Sequence, residues 1–376
     1  LRHIELNNLL MQRGADGFFQ LDKDREAVEA YMEEVNRRSV HFDSTQAKVR
    51  YMVDHDFYEN IYEQYTADEI DDVYRITHSY GFEFASYMAA SKFYEDYALK
   101  SDDRSQYLEH YADRAAIVAL HLGRRNIEAA KTLASAIMEQ RVQPATPTFL
   151  NAGKSRRGEM VSCFLLEMDD SLNSINYVLG TCMQLSKVGG GVAVNLSKLR
   201  GRGEAIKGVE GAAKGIMPVL KLMEDAFSYA DQMGQRKGSG AGYYNIFGWD
   251  VMEFLDSKKI NADEKMRLKT LSIGLIVPNK FYQLAEANLP LHVFAPYTVY
   301  KAYGSHLDDM DLDEMYDKLL ADDRVKKKVI MSARDMLVKI ATIQLESGYP
   351  YIMNKSNANR AHALNSIGSI KMSNLC

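Results

Sequence analysis

The chain has 376 residues, 46% of them hydrophobic and 26% charged, with a formal net charge of -5. That is enough to bury more than one core, and the balance reads as a soluble cytoplasmic protein, not a non-specific nucleic-acid binder. No apolar run approaches the ~18 residues of a membrane helix. Three cysteines, with no Cys-x-x-Cys or His-x-x-x-His pair, suit neither a disulfide framework nor a zinc site.

The opening residues, Leu1 to Glu5, lack the pattern of a signal peptide. Residues 1–145 read as helical. The stretch 26–37 is charged, Thr66 to Glu69 fits a capping box, and 115–122 and 127–138 carry apolar residues at three- and four-residue spacing. Tyrosines are dense between Tyr51 and Tyr111, and are expected to pack between helices with their hydroxyls at the surface. Pro144 and Pro147 then predict a break and extended backbone.

Beyond that point the pattern alternates. Residues 161–166, 192–194, 271–277 and 349–353 are predicted strands; 171–187, 214–233 and 332–346 are predicted helices. About five parallel β/α units are expected, hence an α/β domain following a helical one, with the boundary at 145/146.

Several stretches could carry chemistry. Gly189 to Gly191 lets the backbone approach a ligand or makes a tight helix-to-strand turn. Residues 234–242, GQRKGSGAG, read as a surface loop or a phosphate or interface loop. Lys187, Arg200, Arg202 and Lys207 suit a polyphosphate or form a solvated face. Asp169 or Asp170 could cap the helix starting near Ser171, or bind a ribose hydroxyl. Cys163 and Cys182 read by default as small buried hydrophobes. Cys376 differs. It follows Asn374 at the end of an apolar-alternating run, 367–375, which reads as a strand or finger loop, and an adjacent amide can hold a substrate hydroxyl.

Five stretches taken together resemble the large subunit of class I ribonucleotide reductase, most closely class Ib. They are QPATPTFLNAG (143–153), VSCFLLE (161–167), QLSKVGGG (184–191), MGQRKGSG (233–240) and SNLC (373–376). The resemblance implies a helical N-terminal domain, with at most a partial ATP cone at its start, followed by half of a ten-stranded α/β barrel over 146–376.

It also implies roles. Cys376 corresponds to the thiyl-radical cysteine that abstracts the substrate 3′-hydrogen, and Asn374 to the asparagine on the ribose. Cys163 corresponds to one of two reducing cysteines, its partner lying beyond this sequence. Thr146, Ser162 and Gly191 correspond to substrate contacts. Asp170, Ser171, Leu172, Lys187, Arg200 and Lys207 correspond to the effector site, and 258–269 to the loop linking effector to substrate base. Cys182 matches no catalytic cysteine.

The implied substrate is a ribonucleoside diphosphate, and the implied effectors are deoxynucleoside triphosphates or ATP. No metal is expected on this chain, since a radical-generating small subunit supplies the radical cofactor. A thioredoxin- or glutaredoxin-like reductant and a second large subunit are the other expected partners. The sequence stops inside the radical-cysteine motif, so a second-half polypeptide is expected for activity. Two rivals stand beside this reading: a non-catalytic nucleotide-binding fragment, and a glycyl-radical or adenosylcobalamin-dependent relative.

Overall fold

The computed structural model describes residues 1–188, 190–230 and 239–374. The chain divides into two compact units, Leu1–Val161 and Ser162–Cys376. The division falls after Val161, so residues 146–161 belong to the helical unit and not, as expected, to the α/β one.

The helical unit is built by local signals. Ser44, Thr66, Ser86 and Asn126 each cap a helix with a side-chain oxygen, and Thr66 with Glu69 forms the expected capping box. The helices Tyr111–Gly123 and Ile127–Met138 supply much of the core, including Ile117, Val118, Ala134 and Ile137. Pro147 does not prolong an extended segment. It sits in the first turn of a short helix, Thr146–Asn151, where its missing N–H costs nothing.

The tyrosines do pack between helices, but several hydroxyls are buried. Tyr58 donates to Glu109 at 2.7 Å, Tyr65 donates to the Leu120 carbonyl at 3.0 Å, and Tyr94 meets His110 Nδ1 at 2.8 Å. For Tyr58 the reason is a buried ion pair, Glu109 with Arg114 at 3.1 Å, whose remaining acceptor capacity needs donors from within the core. Beside it lies Lys154, also buried, its ammonium donating to the Tyr97 carbonyl at 2.9 Å.

In the second unit five strands form one parallel sheet. They are β1 (Cys163–Glu167), β2 (Gly191–Asn195), β3 (Gly240–Asn245), β4 (Ser272–Val277) and β7 (Tyr351–Asn354), in the order β1-β2-β3-β4-β7. The remaining two, β5 (Pro290–Phe294) and β6 (Lys327–Ser332), pair antiparallel in a separate small sheet within the β4-to-β7 crossover. Helices Leu172–Lys187 and Met217–Tyr229 link β1 to β2 and precede β3.

Strand β3 was expected to be part of a glycine-rich loop. Its glycines instead serve packing: a Cβ on Gly240 would lie 2.0 Å from the Phe227 ring, and one on Gly242 2.5 Å from Leu220. Residues 234–238 of that loop, and Gly189, lie outside the described residues. Strands β5 and β6 were not foreseen, since one opens on proline and the other on two lysines.

Alternation divides the sheet into two faces. Val192, Val194, Tyr244, Ile273 and Leu275 pack on the helices. Ala193, Ala241, Tyr243, Ile276 and Met353 line the other face, with Met372 seated on them. Cys182 lies in the helix-side core with no exposure, and burial pushes its thiol up to about 12, in keeping with the packing role.

A fully buried carboxylate ties the C-terminal ends of β2 and β3. Asp308 accepts from Asn195 Nδ2 and Asn245 Nδ2, each at 2.7 Å, and pairs with Lys355 at 3.1 Å. The other ends of the same amides accept from Ser197 N and Phe247 N at 3.0 Å. Asp308→Ala is expected to cost about 3–5 kcal/mol, because it strands one cation and two amides without water. Denaturant unfolding at constant m-value measures it.

Lys154 gives a pH signature. Burial, with Arg114 and Lys100 adding repulsion and Glu109 opposing, lowers its amine from 10.5 to about 7. The folded state therefore releases this proton earlier than the unfolded chain. From pH 7 to 10.5 the unfolded state binds more protons, so this group makes stability rise with pH there. Lys154→Met is expected to flatten that rise, read from unfolding free energies at pH 7, 8.5 and 10.

Candidate functional site at the ends of the parallel strands

Residues 362–374 have no helix or strand, so the finger-loop alternative, not the strand, is what forms. The segment 370–374 runs along the inner face of the sheet. Lys371 pairs with Asp309 at 2.5 Å, next to the Asp308 cluster at the C-terminal ends of the strands. Met372 fills the mid-sheet apolar surface. Asn374 reaches the other end, its Nδ2 donating to the Phe164 and Gly191 carbonyls, both at 2.9 Å.

Three predicted residues lie there together. Cys163 and Gly191 are register partners across β1 and β2, and Ser162 accepts from the Gly191 N–H at 2.6 Å. Cys163 is exposed while Ser162 is buried, with Ser162 Oγ and Cys163 Sγ 4.0 Å apart. Asn374 thus meets the backbone beside Cys163, across some 210 residues of sequence. Leu375 and Cys376 lie outside the described residues. Thr146 opens its short helix in the helical unit, where Tyr97 donates to its hydroxyl at 3.4 Å.

The predicted effector residues gather at the opposite strand ends, with one exception. Asp170 follows β1, Ser171 caps the helix Leu172–Lys187 by accepting from Ser174 N at 3.1 Å, and Leu172 is exposed. Asp170 takes two bonds from Arg200, from the backbone N–H at 3.2 Å and from Nε at 2.6 Å. Arg200 also donates to the Ala205 carbonyl at 2.6 Å and stacks over Tyr297, 4.2 Å from its centroid. Lys207 lies two residues further on, at positive φ in the exposed turn closed by Ile206 and Val209.

The helix was therefore capped by Ser171, and Asp170 was neither cap nor free carboxylate but Arg200's partner. Lys187 is the exception. It ends the helix that Ser171 begins, and 15 residues of helix separate the two by about 22 Å. Within one chain it stands apart from the Asp170–Arg200 cluster. Arg202, another candidate cation, pairs with Glu253 at 2.9 Å.

The 258–269 stretch is held at both ends. Lys258 is buried, donates to the Leu268 carbonyl at 2.8 Å and lies 4.5 Å from the Tyr349 ring centroid; burial brings its amine down to about 8. Lys221 donates to the Arg267 carbonyl at 3.0 Å. Glu224 accepts from Thr270 N at 2.7 Å and Leu271 N at 3.2 Å; burial alone would raise its carboxyl, yet these bonds and Lys221 bring it down to about 2. Both Lys221 and Glu224 belong to the helix Met217–Tyr229.

Sequence reasoning also missed Asp309, Lys371 and Asn359. Only the apolar spacing that includes Met372 hinted at the path of this segment. Among the described residues no group of three acidic, histidine or cysteine side chains is arranged to hold a metal, and no helix is long and apolar enough to cross a membrane.

Comparison with known proteins agrees with this layout. The ribonucleotide reductase barrel domain matches residues 161–376, the all-alpha domain 83–157, and the ribonucleotide reductase N-terminal domain 3–82. The ribonucleoside-diphosphate reductase subunit alpha of Bacillus subtilis is 52% identical over 375 residues, covering 99% of this chain and 53% of that protein. The NrdEB subunit alpha of Bacillus phage SPbeta is 51% identical over 99% of this chain and 34% of its own length. The subunit alpha of Mycoplasma pneumoniae is 45% identical, over 94% of this chain and 49% of that protein. The chain thus spans about half the length, or less, of these relatives. With the barrel-domain match alone extending over more than half of its residues, the chain belongs to the ribonucleotide reductase family.

Proposed function

We propose that this chain is the N-terminal portion of a ribonucleoside-diphosphate reductase large subunit of class Ib type. The observation that carries the reading is the meeting of Asn374 with the Cys163–Gly191 register pair. In this reading the Cys376 thiyl takes the 3′-hydrogen of a ribonucleoside diphosphate bound near Ser162 and Gly191. The 2′-hydroxyl leaves as water. Cys163 and its partner cysteine supply two electrons and two protons, one proton leaving with the hydroxyl as water and one hydrogen going to C2′, and become a disulfide, and the hydrogen returns to C3′ to restore the thiyl. A small subunit provides the radical, a thioredoxin- or glutaredoxin-like protein reduces the disulfide, and the protein works in the cytoplasm as a homodimer.

Asn374 is suited to its role because its amide is fixed by two backbone acceptors. An amide already held in place loses little entropy on meeting a ribose hydroxyl. Cys376→Ser is expected to abolish deoxynucleotide formation while effector binding persists, because the hydroxyl O–H bond is too strong to exchange a hydrogen atom with the ribose. Product assay of the complete large subunit with its small subunit decides this; comparable turnover by the serine variant removes the radical role. The non-catalytic alternative is separated by the same assay with and without the second-half polypeptide.

For effector control, we infer that a deoxynucleoside triphosphate or ATP binds around Asp170, Ser171, Leu172, Arg200 and Lys207, with Lys187 reached only from elsewhere, such as a second subunit. Support comes from the Asp170–Arg200 pair, which holds a cation next to the N-terminus of the helix Leu172–Lys187. The grip of Lys221 and Glu224 on 258–270 offers a route from this region to the substrate base. Arg200→Ala is expected to weaken thymidine triphosphate binding roughly tenfold, about 1.4 kcal/mol. Titration of labelled nucleotide into wild type and variant checks it, and equal dissociation constants move the site elsewhere.

A further inference from the structure

The segment that carries Asn374 is preceded by a run of exposed chain. Residues 363–369 are exposed, and Ile367 has 82% of its surface in solvent. Nothing in that run fixes where the segment enters the sheet. The first firm hold is at Ile370, which packs against the apolar face of the sheet and whose backbone is bonded by a single side chain. Asn359, in the helix Lys355–Ala361, accepts from the Ile370 N–H at 2.6 Å and donates to the Ile370 carbonyl at 2.9 Å. The same Nδ2 donates to the Lys355 carbonyl at 3.0 Å.

This two-point bond has the form of a one-residue strand pair, with a side-chain amide in place of a neighbouring backbone. It sets both the position and the rotation of the peptide at Ile370. From there Lys371 turns to Asp309, Met372 enters the apolar face, and Asn374 arrives at the Phe164 and Gly191 carbonyls four residues on. A residue-long slip would take Met372 off its site and face Asn374 the other way, since side chains of an extended segment alternate.

We infer that Asn359 is the positioning residue that fixes the register of the 370–374 segment, and through it the placement of Asn374. The inference rests on the proposed reductase chemistry for its effect on turnover, but not for the clamp itself. The clamp needs both a donor and an acceptor at one position. Leucine has the shape and neither function. Aspartate keeps the acceptor for the Ile370 N–H, but turns an oxygen toward the Ile370 carbonyl. Both substitutions break the pair without adding bulk.

The test uses the complete large subunit with its small subunit, as wild type, Asn359→Leu and Asn359→Asp. Hydrogen exchange of the 370–374 amides reads the clamp. Deoxynucleotide formation reads its consequence, and thymidine triphosphate binding and melting temperature read the rest of the fold. Expected in both variants are faster exchange confined to 370–374 and kcat lowered at least tenfold. The substrate KM and effector affinity should stay within about twofold, and the melting temperature should be little changed.

Unchanged exchange overturns the clamp. A kcat within twofold of wild type, or a loss of activity that merely follows lost effector binding and a lower melting temperature, overturns the inferred placement of Asn374 through it. A wild-type protein without reductase activity whose 370–374 exchange still rises on substitution would sink the proposed chemistry and leave the clamp standing.

Discussion

The buried carboxylate of Asp308 is the constraint on which the α/β unit depends. A charge with no exposure must be matched on every side, and here two asparagine amides and a lysine do so. The asparagines close the ends of β2 and β3. The lysine begins the helix Lys355–Ala361, so the same carboxylate places the strand ends and the element that follows β7. From that helix Asn359 reaches Ile370, while the neighbouring Asp309 takes Lys371. The path of the final segment is thus a consequence of how one buried charge is neutralised.

The sheet has two functional ends. Strands of five or six residues separate them by only about 15–20 Å, yet the ends differ in chemistry. Near the C-terminal ends lie Lys198, flanked by Glu167, Asp169 and Asp309, and the Asp170–Arg200 pair. At the N-terminal ends of β1 and β2 lie Cys163, Ser162, Gly191 and the Asn374 amide, while Glu224 and the buried Lys258 stand at those of β4 and β7. The proposed nucleotide effector, with its phosphates, suits the charged end.

Two connections bridge these ends. One is the 370–374 segment itself. The other is the helix Met217–Tyr229, which anchors 267–271 through Lys221 and Glu224. Either can pass a change at one end to the other only if the two positions of the moving part differ in contacts with ligand.

The sequence by itself determined the division into a helical and a parallel α/β part, because helix spacing, capping residues and apolar runs are local signals. It also marked Asn374, Cys163, Ser162 and Gly191 through short motifs that match the family. It missed β3, whose glycines look like a loop until Phe227 and Leu220 are seen against them. It expected surface hydroxyls on the tyrosines, whereas that of Tyr58 satisfies a core ion pair, and it grouped Lys187 with cations a helix length away. Only the tertiary structure decided that Arg200 is spent on Asp170, that Glu224 holds the end of 258–270, and that Asn359 clamps Ile370. Each of these is a polar contact between residues remote in sequence or on different elements. Such a contact leaves no periodicity to read, because its partner is chosen by the packing of the sheet.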